Sequence, residues 1–481
     1  MSLKFGTSGL RGLSVDLIGR PTAIYVSAFA QHLIDSGLAV PGDKVFVGRD
    51  FRASSPSIAE TAMLALQYAG LVPVDCGTIP TPALALYAMQ QGSSALMVTG
   101  SHIPADRNGI KFFRPDGEID KQDELEIVGY ARSFEFQQFD FAALQTPIKS
   151  HMREAEKNFL ARNMSIFPKA ALKGLRIGVY QHSTVARDLF VTMLEWCGAE
   201  VVKLGYSEDF IPVDTEAVSP ETLELLKTWS STMTLDAIVS ADGDGDRPLV
   251  ADENGTPLRG DVIGVITAEF LCARVMVTPI TSNSSLERLG ICSILRTQVG
   301  SPYVIAGMNK ALVDDRTGVV GFEANGGVLT ASDFAVNGAV LKALPTRDSF
   351  LPVLATLHWC KKNEKPLSRL IGERAIAYAL SDRLENFPVE DSLALMSQLM
   401  ASMGQLSHFL GDIGLVSETN ILDGLRVTLN DQRIIHFRPS GNAPELRCYV
   451  EAPSLDAAQK LLQKGLAALQ SFKLSRQEET V

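Results

Sequence analysis

Asp242, Gly243, Asp244, Gly245 and Asp246 set three carboxylates within five residues, with Arg247 directly after them. Carboxylates this close repel one another unless a cation sits among them, and more strongly as water is excluded. The alternating glycines let the backbone curl so that the acidic side chains converge. Oxygen-only ligands favour a hard ion such as Mg2+, which ordinarily keeps coordination positions open for water or a phosphoryl oxygen. The pattern therefore asks for a phosphorylated partner. A calcium loop of the EF-hand kind is a second reading, with Glu253 falling at its twelfth position. That reading needs glycine where Arg247 stands, and Asn254-Gly255 predicts a hairpin turn instead of an entering helix. An acidic loop that holds no metal is a third reading, but it would have no need of the glycine alternation.

Three further loops carry reactive or anion-binding groups. The apolar run Ala95-Leu96-Met97-Val98 leads into Thr99-Gly100-Ser101-His102-Ile103-Pro104. A strand followed by a glycine and proline loop is where α/β folds place ligands. Ser101 is a candidate nucleophile, with His102 beside it and Lys111 ten residues on; a turn serine next to a surface histidine is the plainer reading. G-x-S-x-G is absent, so the α/β-hydrolase elbow is not supported. Between Arg438 and Arg447 lie Ser440, Gly441 and Asn442, a set of guanidinium, hydroxyl, amide and backbone donors suited to a phosphate dianion. Glu323 and Asn325 stand among glycines 321, 326 and 327, where a carboxylate and an amide can bridge neighbouring sugar hydroxyls. Near the N-terminus, Arg11 sits among Gly6, Thr7, Ser8, Gly9 and Gly12, which suits an anion or simply a flexible start.

These groups must be positioned by a large scaffold. The 481 residues are 46% hydrophobic, too many for one core and enough for three to four domains at ~100–200 residues each. A net charge of −11 argues against nucleic acid or an anionic membrane as partner. The six cysteines form no C-x-x-C pair and lie in or beside apolar stretches, so buried reduced thiols are expected. Residues 1–16 show neither an apolar signal core nor a cleavage site, and no run approaches the ~18 apolar residues of a membrane span. The expectation is a cytoplasmic protein.

One unit recurs along the chain: apolar strand, serine-containing loop, amphipathic helix, glycine, apolar strand. Strand 44–47, helix 57–68, Gly70 and strand 71–74 form the first copy. Strand 176–179, helix 185–196, Gly198 and strand 200–204 form the second. Strand 275–278, a short helix 286–289, Gly290 and strand 292–296 form the third. The alternation predicts right-handed crossovers and mostly parallel sheets, and each glycine suits the position just past a helix end. The last segment differs, with strands over 424–429, 434–438 and 447–450 and a helix over 455–469, followed by a polar end expected to fray. The boundaries expected are 1–148, 149–254, 255–366 and 367–481.

Taken together and in this order, the loops resemble the α-D-phosphohexomutase family across nearly the whole chain. The resemblance implies four domains around a central cleft: three similar α/β domains with mixed sheets and a smaller C-terminal α+β domain. It implies Ser101 as the serine that carries a phosphoryl group, from a loop that usually reads T-A-S-H-N-P, with Ile103 here in place of asparagine. Asp242, Asp244 and Asp246 are implied as Mg2+ ligands alongside a phosphoserine oxygen of Ser101. Glu323 matches the sugar loop, with Asn325 where many members have serine. Arg438, Ser440, Gly441, Asn442 and Arg447 match the phosphate loop, with Asn442 and Ala443 replacing threonine and glutamate. Many members carry histidines where this chain has Ser301 and Gly327, so His102 and Lys111 become the implied acid/base pair.

The implied reaction is the interconversion of hexose 6-phosphate and hexose 1-phosphate through phosphorylated Ser101 and a hexose 1,6-bisphosphate, which also serves as activator. Mg2+ and Arg247 would neutralise phosphoryl oxygens, with Arg11 a further catalytic candidate. Lys111 would deprotonate the attacking hydroxyl with His102 orienting it. The sugar loop looks more like phosphomannomutase than glucosamine-type members. Phosphoglucomutase or dual specificity is the alternative, followed by phosphoglucosamine mutase, a metal-dependent sugar phosphatase and a sugar-phosphate binder without activity. Hexose phosphates are the expected partners, for a monomer or a homodimer.

Overall fold

The computed structural model describes residues 3–6, 9–135, 137–140, 148–440 and 444–479, the last five of these by backbone alone. Two compact units make up the chain: Met1–Val277 with Gly300–Ile371, and Thr278–Val299 with Gly372–Val481.

The larger unit repeats one local design three times. A buried strand runs parallel to its neighbour, ends in a loop, and the next strand returns antiparallel. Ser94–Val98 lies parallel to Lys44–Arg49 and is followed by Arg107–Arg114, with Val98 opposite Ile110. Ala237–Ala241 lies parallel to Arg176–His182 and returns as Pro248–Ala251, with Ala241 opposite Pro248. Val319–Phe322 lies parallel to Val275–Pro279 and returns as Val328–Thr330, with Phe322 opposite Val328. The serine loop, the aspartate loop and the glutamate loop thus occupy the same place in three successive sheets, at the carboxyl end of a strand buried along its length. The sheets are mixed, because each returning strand adds an antiparallel pair to a parallel core.

The first sheet shows how the sequence achieves this. Successive strand residues face opposite sides. Val45 and Val47 enter a core with Phe29, Ile58 and Ile127, from the helices Arg20–Asp35, Ser55–Tyr68 and Lys121–Ser133. Phe46 points the other way, its ring edge-on to Tyr87 of the helix Thr81–Gln90 at 5.2 Å. The sheet is therefore covered on both faces, and the strand reads as continuously apolar, as parallel strands do.

The smaller unit contains an antiparallel sheet in the order Tyr378–Glu385, Glu445–Ala452, Ile434–Pro439, Leu425–Leu429, Val416–Asn420. The helices Val389–Ala401 and Leu455–Glu479 pack against it around Phe387, Leu395, Phe437 and Leu461. Three sequence expectations change. The final helix does not stop at 469 but runs to Glu479, since its polar end contains no helix breaker. The short helix of the third copy is a single turn, Ser285–Arg288, and belongs with the following strand Ser293–Thr297 to the smaller unit. Cys272 is exposed and Cys292 half-buried, whereas Cys76, Cys197, Cys360 and Cys448 are buried free thiols. Cys272 lies past the end of the helix Gly260–Phe270 at φ +52°, a left-handed turn between the buried Leu271 and Ala273. No helix among the described residues is long and apolar enough to cross a membrane.

Candidate active site

Ser101 is fully buried and adopts φ +56°, a left-handed conformation that a non-glycine residue holds only where its surroundings impose it. Its N–H donates to Thr99 Oγ1 at 2.7 Å, and that hydroxyl donates to Asp50 Oδ2 at 2.7 Å. Arg52, 1% exposed, threads the loop from behind. Its Nη2 donates to the carbonyls of Ser101 and Ile103 at 2.9 and 2.6 Å, and its Nη1 to those of Pro104 and Arg107 at 2.6 and 2.9 Å. Its Nε bonds Asp50 at 3.2 Å, and the guanidinium lies 4.0 Å over the Phe210 ring. Five donors on one planar fork thus fix the serine loop.

The aspartate loop comes against it. A Cβ on Gly243 would stand 2.8 Å from the Ser101 carbonyl oxygen, so glycine is what lets the two backbones approach. Ser101 Oγ donates to Asp242 Oδ2 at 2.5 Å. Asp242, Asp244 and Asp246 are completely buried, and each offers an oxygen within 4.8 Å of the others. Asp244 is bonded by the hydroxyl of Thr81, at the positive N-terminal end of the helix Thr81–Gln90. Lys111 Nζ bridges Asp244 Oδ2 at 2.6 Å and Asp246 Oδ2 at 2.5 Å.

Two buried oxygens of this set, Asp244 Oδ1 and Asp246 Oδ1, have no hydrogen-bond partner. Buried carboxylate oxygens without partners are expensive. Burial, with Asp244 and Asp246 beside it, raises the Asp242 carboxyl above the usual range. Burial would raise Asp246 as well, but Arg347, Lys111 and Arg247 hold it well below that range. Converging oxygens, unpartnered lone pairs and a carboxyl pushed toward protonation fit a hard divalent cation.

The cations around the triad come from four separated stretches of chain. Arg247 Nη1 donates to His102 Nδ1 at 2.8 Å, which assigns the ring proton to Nε2; that nitrogen lies 3.9 Å from Asp214. Burial, then Arg247 and Arg11, pushes His102 far below its ordinary value, so the ring is neutral. Arg11, on the strand Gly9–Leu13 beside Arg107–Arg114, is pushed down to about 10 by burial and by Arg247 and Arg347. Mutually repelling guanidiniums held this close make a site for an anion. Burial lowers Lys111, but Asp244 and Asp246 outweigh it and hold the ammonium charged.

In the glutamate loop, Glu323 Oε2 accepts from Arg347 Nη1 at 3.1 Å. The Asn325 side chain closes its own hairpin turn by accepting from the Gly327 N–H at 3.0 Å, and Thr215 donates to the Asn325 carbonyl at 3.0 Å. Ser101, His102, Lys111, Arg11, Arg247, the three aspartates, Glu323 and Asn325 all lie in the larger unit.

The remaining expected residues lie in the smaller unit. Arg438 and Arg447 sit directly opposite one another on neighbouring strands. Arg438 bonds Asp423 at 2.8 Å and Arg447 bonds Glu445 at 2.9 Å, while the Ser440 N–H donates to the Glu445 carbonyl at 3.0 Å. Gly441 and Asn442 lie outside the described residues, as do Thr7, Ser8 and Ala443.

Four contributors were not foreseen: Arg52, Thr81, Asp214 and Arg347. Arg52 had a signal, an Asp50-Phe51-Arg52 triplet closing an apolar strand. Arg347 had a weaker one, a charged residue in a run otherwise fit for burial. Thr81 and Asp214 had none.

Four stretches match the phosphoglucomutase/phosphomannomutase domain descriptions: alpha/beta/alpha domain I over 2–138, domain II over 156–255, domain III over 259–378 and the C-terminal domain over 384–467. A phosphomannomutase of Sinorhizobium fredii is 52% identical over 476 residues, covering 98% of this chain and 99% of its own. A phosphomannomutase of Salmonella muenchen is 40% identical, covering 98% and 97%. A solved phosphoglucomutase/phosphomannomutase family protein of Burkholderia thailandensis shares the fold with a TM-score of 0.76 at 20% identity, covering 97% of each chain.

Proposed function

The chain belongs to the phosphoglucomutase/phosphomannomutase family, and from that premise we propose that it interconverts mannose 6-phosphate and mannose 1-phosphate through a phosphoserine at Ser101 and a hexose 1,6-bisphosphate. The single observation that carries this reading is the meeting of Ser101 Oγ with Asp242 Oδ2 at 2.5 Å, inside a buried triad with unpartnered oxygens. A hydroxyl held against a cation site and ringed by arginines is arranged to carry a phosphoryl group.

Phosphoryl transfer has a loose transition state, so catalysis consists mainly of placing groups and neutralising charge. Mg2+ held by Asp242, Asp244 and Asp246 would offset the charge on the phosphoryl oxygens of Ser101 and loosen the hold of the carboxylates on Lys111. Arg247 and Arg11 take the phosphoryl oxygens from the other side. The neutral His102, with Nδ1 engaged by Arg247, presents its Nε2–H and acts as an orienting donor. Lys111 exchanges the proton of the sugar hydroxyl, as ammonium when it donates and as amine when it accepts. Glu323 and Asn325 bind hydroxyls common to both orientations of the sugar. Arg438, Ser440, Gly441, Asn442 and Arg447 hold the phosphate that is not reacting. We assign the four functional segments to 1–148, 149–254, 255–366 and 367–481, in a cytoplasmic enzyme that works as a monomer or homodimer.

Parallel assays on mannose, glucose and glucosamine 1-phosphates, with hexose 1,6-bisphosphate and Mg2+, test the reading. The expected result is highest kcat/KM on mannose 1-phosphate, no net release of inorganic phosphate, and loss of turnover in Ser101→Ala. Stoichiometric phosphate release, or turnover retained without the Ser101 hydroxyl, would reject it.

A further inference from the structure

Arg347, next to last in the strand Leu344–Asp348, is 1% exposed and joins two loops that are far apart in sequence. Its Nε and Nη2 bond Asp246 Oδ2 at 3.1 and 3.0 Å, and its Nη1 bonds Glu323 Oε2 at 3.1 Å. Its neighbours along the chain reinforce the placement. Thr346 donates to Glu118 at 2.8 Å, and Ser349 Oγ donates to the Gly245 carbonyl inside the aspartate loop at 2.7 Å. The room for the Arg347 stem exists because residue 327 is glycine. A Cβ there would meet the Cδ, Cγ and Cβ of Arg347 at 2.7, 2.8 and 3.0 Å.

We propose that Arg347 is a positioning residue that binds the sugar-loop carboxylate Glu323 and the aspartate-loop carboxylate Asp246 into one body, with Gly327 as its obligatory counterpart. The inference rests on the mutase reading for its consequence, which is that hydroxyl recognition and phosphoryl placement stay in register while the sugar is handled in two orientations. One Glu323 oxygen is spent on Arg347, leaving the other to the ligand with its direction fixed. A planar fork can serve two carboxylates at once, whereas an ammonium acts as a point charge. Lysine is therefore a partial replacement.

The test uses the full-length enzyme and Arg347→Met. The first readout is amide exchange at Gly326 and Gly327, whose N–H groups close the glutamate loop on the Glu323 carbonyl and Asn325 Oδ1. Losing a charge-assisted bond should speed their exchange by about 10- to 100-fold, with the strand Arg176–His182 unchanged. The second readout is kinetic: KM for mannose 1-phosphate should rise about 10-fold or more while kcat falls less, as expected when ground and transition states lose the same contact. Arg347→Lys should lie between. Combined with Glu323→Gln, the KM effect should be smaller than the product of the two single effects. Parent-like exchange together with parent-like KM, or multiplicative effects, would overturn the inference. If Arg347→Met does not fold, Gly327→Ala displaces the same stem and should move KM in the same direction; an unchanged KM there would overturn it equally. A parent enzyme inert on every hexose phosphate would remove the proposed function and leave the exchange comparison to decide the role of Arg347.

Discussion

Replacing Arg52 by methionine should unlock the serine loop without touching any group that meets substrate. The side chain keeps its apolar bulk over Phe210 but loses all five donors, leaving Asp50 buried and four carbonyls of the loop without their partner. Removing one member of a buried ion pair typically costs about 3–5 kcal/mol, because the other charge stays behind. Asp50 limits the loss. Burial already raises its carboxyl above the usual range against the pull of Arg52, so loss of the guanidinium moves it further toward the neutral form. Ser55 and Thr99 still donate to it. The lower end, about 3 kcal/mol, is therefore expected, and it appears locally because the loop also stores the left-handed Ser101. At 1.4 kcal/mol per factor of ten, amide exchange over residues 99–109 should accelerate by about 100-fold. Amides of the helix Ser55–Tyr68 should stay slow. The paired change Asp50→Asn with Arg52→Met should recover part of the loss, since no charge is stranded. Exchange within about threefold of the parent in Arg52→Met would refute the claim that this guanidinium holds the loop.

Three other perturbations act on separate parts of the molecule. Ser101→Gly should be more stable than Ser101→Ala by about 0.5–1 kcal/mol, reversing the usual order, because φ +56° costs alanine about 1–2 kcal/mol; amide exchange at 99–109 in the two variants measures it, and alanine being equal or better would show no strain. His32 is bonded by Asp123 and Glu126, one at each ring nitrogen at 2.9 Å, and its pKa is raised chiefly by the Asp123 bond against burial. Its contribution is complete below the unfolded value of about 6.5 and disappears as pH rises through the folded value, so His32→Gln should flatten the alkaline side of the stability profile, and an unchanged profile would contradict the pairing. Mg2+ should raise the melting temperature in proportion to about 2.7 kcal/mol at a hundred times its Kd, and the shift should vanish when Asp242, Asp244 and Asp246 are all replaced by asparagine; an equal shift in that variant would place the ion elsewhere.

What could be read in the sequence was local. The aspartate loop announces itself because its ligands lie within five residues and share one element. The serine loop follows a recognisable apolar strand. The repeat could be read because each helix ends on a glycine between two apolar runs. Arg347 could not be paired in advance, since its partners lie 24 and 101 residues away, Glu323 brought near by strand order within one sheet and Asp246 from the loop of another. Thr81 meets Asp244 across 163 residues, from a helix on one sheet to the loop of another. Lys111 stands at the expected position, but its two carboxylates keep it charged, a state that only the assembled site dictates. Cys272 lies in an apolar stretch yet is exposed, at a left-handed turn between the buried Leu271 and Ala273. The polar tail of the last helix fooled the composition argument, as polarity alone does not end a helix.

The most direct test is to incubate the full-length protein with hexose 1,6-bisphosphate labelled in both phosphoryl groups, digest it and locate the label. One labelled peptide is expected, with the modification on Ser101, formed only with Mg2+, absent in Asp242→Asn, and discharged by mannose 1-phosphate into bisphosphate. Label on another residue, or label on Ser101 that passes to water and not to the sugar, would contradict it.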